Sequence, residues 1–90
     1  MRIDRYLHCI RLMKSRTLAQ AIIDRGFVRI DGKRVHKPSE EVCAGSVIAL
    51  PLNDRVRILR VLSLPNRRGP AAEARLCYEE LGIDAVEPAK

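Results

Sequence analysis

The sequence predicts an α+β domain: two N-terminal helices packed on a small, mostly antiparallel four-stranded sheet, with a C-terminal helix. Three observations predict it. Apolar residues recur at helical spacing over 2–13 and again over 15–25. They then alternate in short runs separated by Asp31-Gly32, Ala44-Gly45 and Pro51–Asp54. Helical spacing returns after Pro70. At 90 residues the chain is long enough for one modest core without disulfide or metal staples.

In the first helix Ile3, Leu7 and Ile10 make a stripe flanked by Tyr6 and Met13, with Arg2, Arg5 and Arg11 turned away. Asp4 falls in the first turn, where a carboxylate suits the positive end of the helix dipole. Ser15 is a good N-cap for the second helix, because its hydroxyl can accept from an otherwise orphaned amide. Leu18, Ala19, Ile22 and Ile23 form that helix's apolar stripe, and Gly26 supplies a residue without Cβ at its end. Phe27–Ile30 and Lys33–His36 read as the two arms of a hairpin, since Asp31-Gly32 favours a type I′ turn. Ser46–Leu50 is the third strand and Arg55–Leu62 the fourth. In the latter Val56 and Ile58 alternate before the apolar phase slips to Leu59 and Val61, which predicts a β-bulge. Pro65–Gly69 is a loop carrying Arg67-Arg68. Pro70 opens the final helix, whose stripe is Ala74, Cys77, Tyr78 and Leu81, and Gly82 ends it. Residues 1–64 are thus expected to form the domain proper, 65–82 a loop and helix packed on it, and 83–90 a frayed tail.

The net charge of +6 is unevenly spread. Residues 1–37 hold ten Lys/Arg against three Asp, whereas residues 71–90 hold two against five acids. Such asymmetry points to a polyanion, either nucleic acid or an anionic membrane surface. No apolar run approaches the roughly 20 residues of a membrane span. Arg2, Asp4, Arg5, His8 and Arg11 interrupt any signal-peptide core, so a cytoplasmic location without membrane contact is expected. Cys9, Cys43 and Cys77 are odd in number and widely spaced. They fit a reducing compartment and small apolar roles, and with His8 and His36 they make no zinc spacing. No metal and no cofactor are expected.

The candidate site residues are the basic ones left outside the core: Arg2, Arg5, Lys14, Arg16, Arg25, Lys33, Arg34 and Lys37, with Gln20 beside them. A solvated charged surface is the plain alternative. Against it stand the scarcity of acids and the predominance of Arg, whose planar fork binds phosphate through two bonds. Ser15 and Arg16 also lie at a helix N-terminus, where amides and dipole favour an anion. Arg67 and Arg68 repeat the theme before the last helix. Tyr6, Phe27 and Tyr78 are the only aromatics, too few for base-stacking platforms once the core has taken its share. Structured RNA is therefore favoured over single strands. The sequence has no nucleophile elbow, glycine-rich phosphate loop or H-E-x-x-H motif, and Glu40-Glu41 and Glu79-Glu80 are adjacent pairs that diverge rather than face one another. No catalysis is expected.

RIDRYL followed by KSRTLAQAIIDRGFVRIDGKRVHKPS resembles the RNA-binding domain named after small-subunit ribosomal protein S-four. The residues that carry the likeness are Arg2, Asp4, Ser15, Arg16, Ala19, Gly26, Val28 and Gly32. The later RRGPAAEARLCYEE is similar to a segment of the bacterial heat-shock protein fifteen family and of the short ribosome-quality-control proteins. The resemblance implies the alpha-L RNA-binding motif, in which two helices and a hairpin make a basic surface for structured RNA. By it Arg2, Arg5, Lys14, Arg16 and Lys33 meet RNA, and the partners are ribosomal RNA or tRNA on a large ribosomal subunit with a blocked nascent chain. The free protein is expected to be a monomer. Two departures carry expectations. The heat-shock family continues into a long basic tail where this sequence reaches Lys90, so contacts of that tail are expected to be missing. Asp31 stands where the family often has Asn, placing a negative charge beside the RNA face. Two other functions compete: an accessory or relic of an RNA-modifying enzyme such as a pseudouridine synthase, and a protein-interaction module using an acidic final helix.

Overall fold

The structure, a computed structural model, describes residues 1–52 and 54–85. Its order is α1 (Ile3–Cys9), α2 (Arg16–Asp24), β1 (Arg29–Ile30), β2 (Lys33–Arg34), β3 (Val47–Leu52), β4 (Arg55–Val61), α3 (Ala71–Arg75) and β5 (Tyr78–Ala85). The strands form one antiparallel sheet in the order β2-β1-β3-β4-β5. The α+β class stands, with a fifth strand where the sequence predicted most of a helix.

Both N-terminal helices end in the same backbone device. In α2 the Gly26 amide donates to Ile23 and the Phe27 amide to Ile22, with Gly26 at φ 80°. In α1 the Arg11 amide donates to His8 and the Leu12 amide to Leu7, but the residue at φ 68° is Arg11 itself. This is the Schellman arrangement, which glycine enters freely and other residues enter at about 1–2 kcal/mol. The Ser15 hydroxyl caps α2 by accepting from the Leu18 amide at 3.2 Å.

The helices lie on the sheet face formed by Ile48, Leu50, Leu59 and Val61, all fully buried. Ile3, Tyr6, Leu7, Ile10, Ala19 and Ile23 fill the other side of that core. Leu18, expected in the stripe, is about half exposed at 49%, because Ala19 and Ile23 face the core directly. The Tyr6 hydroxyl donates to the Cys77 carbonyl at 2.8 Å, and burial holds its pKa well above the ordinary phenol value. Of the cysteines, Cys9 and Cys77 are buried as expected, whereas Cys43 is exposed.

The β1–β2 turn places Asp31 and Gly32 both at positive φ, as a type I′ turn requires. Asp31 does more than turn the chain. Its carboxylate accepts from the Val47 amide at 2.9 Å, and its own amide donates to the Val47 carbonyl at 2.7 Å. Expected to place a negative charge beside the RNA face, it also clamps β3. Pro51, expected to end the third strand, lies within β3 opposite Val56. Its missing N–H points to the side where β1 has already ended, so no ladder bond is lost.

The larger correction lies at the C-terminal end. The helix expected from Pro70 to Gly82 is only Ala71–Arg75, and Tyr78 onward pairs with β4. Gly82 is no helix cap: it sits opposite Ile58 inside the sheet. The spacing Ala74, Cys77, Tyr78, Leu81 fits a helical stripe, but seven registered pairs with β4 outweigh that local preference. The β-bulge falls at the expected step, Ile58 to Leu59, yet the additional residue is Leu81 on β5, while β4 keeps its register with β3. Residues 83–85, expected to fray, belong to β5; residues 86–90 of the expected tail lie outside the described residues. The acidic final helix is absent as such, since Glu79 and Glu80 sit on β5.

Candidate nucleic-acid interface

The side chain on which the basic surface is built is Asp4. It is completely buried, and every acceptor site is engaged. Its Oδ2 accepts from Arg2 Nη2 at 3.1 Å, Arg16 Nη2 at 3.2 Å and Gln20 Nε2 at 2.9 Å. Its Oδ1 accepts from Arg2 Nε at 3.2 Å and the Arg5 amide at 2.7 Å. Burial alone would raise the carboxyl pKa. The bonds from Gln20, Arg16 and the Arg5 amide outweigh it, and the net pKa lies below the usual carboxylate value. At neutral pH Asp4 is therefore an anion ringed by more positive charge than it can neutralise. The Arg2 and Arg16 side chains remain 46% and 42% exposed, so the outer donors of both forks face solvent.

This corrects the expected geometry of Arg16. Its guanidinium does not project beside the free amides of α2; it reaches across to α1. One nitrogen there, Nε, is buried without an acceptor, a loss worth about 1–3 kcal/mol. Gln20, one turn further along α2, serves the same carboxylate as Arg16.

A second set of arginines fixes the 65–69 loop against α1. Arg5 donates to the Asn66 carbonyl, Arg11 Nε to the Gly69 carbonyl at 2.7 Å, and Arg68 Nε to the His8 carbonyl at 3.2 Å. His8 lies where these groups meet. Partial burial depresses its pKa, and the positive charges of Arg68, Arg16 and Arg11 depress it further. Arg2, Arg5, Arg16, Gln20 and Arg68 are thus gathered at one end of the helical layer, with Lys14 and Arg67 exposed on the adjoining turns. Lys37 adjoins Pro38, whose carbonyl accepts from the Asp4 amide at 3.3 Å.

The other candidates form a separate group. Arg25 is exposed at the far end of α2, about 13 Å along its axis. Arg34 lies over Gly26, where an added Cβ would come within 3.1 Å of its Cδ. Lys33 is exposed on the hairpin. Sequence reasoning missed three members of the first group: Asp4 as its organiser, and His8 and Arg11. Arg11 at positive φ is the sort of backbone exception that marks a constrained site, but no sequence signal distinguishes it from its neighbours.

Among the described residues no three His, Cys, Asp or Glu side chains come together as a metal site. No helix there is long and apolar enough to cross a membrane.

The S4 domain family matches residues 1–48. The chain belongs to the S4 domain family. Heat shock protein 15 of Escherichia coli (strain K12) is 36% identical over 80 residues, which are 89% of this chain and 59% of that protein. Small ribosomal subunit protein uS4 of Limosilactobacillus reuteri (strain DSM 20016) is 37% identical over 86 residues, 96% of this chain and 40% of its own length. A trimeric structure of Vibrio cholerae Heat Shock Protein 15 superposes with a TM-score of 0.84 at 31% identity, covering 89% of this chain and 80% of that one. The chain spans about three-fifths of the heat shock relatives it matches. The S4 domain match and the Heat shock protein 15 likeness support RNA binding by this chain.

Proposed function

We propose that this S4 domain recognises structured ribosomal RNA or tRNA on a large ribosomal subunit carrying a blocked nascent chain, and so acts in the rescue or quality control of stalled ribosomes. The observation that carries the RNA-contacting part is the Asp4 cluster. It holds two half-exposed arginine forks in place on a surface that also gathers Arg5, Arg68, Lys14 and Arg67. Rigid forks at fixed spacing suit the phosphates of a folded RNA better than those of a mobile single strand. The ribosomal context is supported by the two kinds of relative, one a ribosomal protein and the other Heat shock protein 15. Lys37 adds to this surface beside Pro38; Arg25, Lys33 and Arg34 offer a second basic group at the end of α2 and on the hairpin, and Ser15 acts through its cap. The interaction-module alternative loses its footing, since Glu79 and Glu80 are paired with arginines of β4.

The test is co-sedimentation with purified large subunits, with and without peptidyl-tRNA, beside small subunits and free tRNA. Preferential retention on large subunits bearing peptidyl-tRNA is expected. With about four to six phosphates contacted, log affinity should fall against log salt with a slope between about −3 and −5. Equal retention on both subunits, or a slope near zero, would refute the proposal.

A further inference from the structure

We propose that Asp4, a negative charge, strengthens RNA binding by positioning Arg2 and Arg16 as a preset pair of phosphate donors; the inference rests on the RNA-binding surface proposed above. The two Nη2 atoms share one acceptor, Asp4 Oδ2, at 3.1 and 3.2 Å, so the forks are held side by side although they come from different helices. Arg2 spends Nε and Nη2 on Asp4 and Arg16 spends Nη2 alone. Each fork begins with five N–H donors, so both keep outward donors for a phosphate. Gln20 takes part of the remaining acceptor capacity of Oδ2, and the Arg5 amide holds Oδ1. The carboxylate therefore cannot swing out and neutralise an arginine at the surface. It is also wholly buried, so an approaching phosphate meets the guanidinium groups and not the acid. Two arginines freed from this anchor would each have to be ordered as RNA binds, which weakens association.

The consequence runs against simple charge counting. Asp4→Asn makes the protein more positive by one, and on charge alone it should bind RNA more tightly. Positioning requires the reverse. The control is Asp24→Asn, which changes the net charge equally at an exposed position of α2. The probe is large-subunit ribosomal RNA, titrated at several salt concentrations with thermal melts of each variant. Asp4→Asn is expected to bind about tenfold more weakly, with a salt slope shallower by about 0.7–0.9, the equivalent of one phosphate. Asp24→Asn should stay within about twofold of the parent. Folded Asp4→Asn that binds as well as Asp24→Asn overturns the inference while leaving RNA binding itself intact. If the parent protein fails to bind, the proposed function and this inference both fall. Should Asp4→Asn not fold, Arg16→Lys decides the matter: it keeps the charge but loses the fork, and parental affinity in that variant also overturns the positioning role.

Discussion

Two regions of the molecule use arginine in opposite ways. On β4, Arg57 and Arg60 are matched one to one with Glu80 and Glu79 of β5, across the strand pairing that joins them. At the helical end, Arg2 and Arg16 share the single carboxylate of Asp4, and Arg5, Arg11 and Arg68 spend donors on neutral backbone carbonyls. The first arrangement cancels charge; the second fixes side chains while leaving their charge uncancelled. A count of basic residues cannot tell these apart. What distinguishes a binding surface here is the nature of the acceptors that hold its arginines.

The sharpest way to break the comparison is to remove an acid from each region. Asp4→Ala should lower stability by about 2–3 kcal/mol, since four donor atoms on three side chains and a backbone amide lose a buried acceptor, discounted for the exposed outer halves of both arginines. For a chain of this size that is a fall in Tm of roughly 10–20 °C. Acid titration probes the same carboxylate. Its folded-state pKa is below the unfolded value, so its contribution is complete above about pH 4 and is lost as pH falls through the folded pKa. Urea midpoints should therefore drop below about pH 4 in the parent and less steeply in Asp4→Ala. The smallest effect belongs to the other region: Glu79→Gln with Glu80→Gln should cost less than about 1 kcal/mol, because both pairs are partly exposed. That double variant gains two positive charges, yet its RNA affinity should change by less than about threefold. A larger gain would mean that charge count, and not the fixing of the forks, governs binding.

Much of this arrangement is legible in the sequence, and what is not legible has physical causes. Ser15, Gly26 and Asp31-Gly32 act through local backbone chemistry, so the cap, the helix end and the hairpin turn are each where the residues place them. Asp4 fits equally well as an exposed dipole partner and as a buried acceptor. Only the approach of Arg16 and Gln20 from α2 decides between them, and that is tertiary information. The stretch from Cys77 to Leu81 fails for the same reason: its apolar spacing suits a helix, and only the free side of β4 makes it a strand. Arg75 ends α3, so Glu79, four residues on, is not its helical neighbour and pairs instead with Arg60.

The arginines that fasten the 65–69 loop do so through the carbonyls of His8, Asn66 and Gly69, not through side chains. A carbonyl is common to every amino acid. Asn66 can therefore drift among many identities without unfastening the loop, so long as the main chain keeps its path. Arg5, Arg11 and Arg68 have no such latitude. Variation among descendants of this chain should be concentrated at the positions that offer only a carbonyl and sparse at the fastening arginines, with the loop's outline inherited and, Arg68 apart, its lettering free.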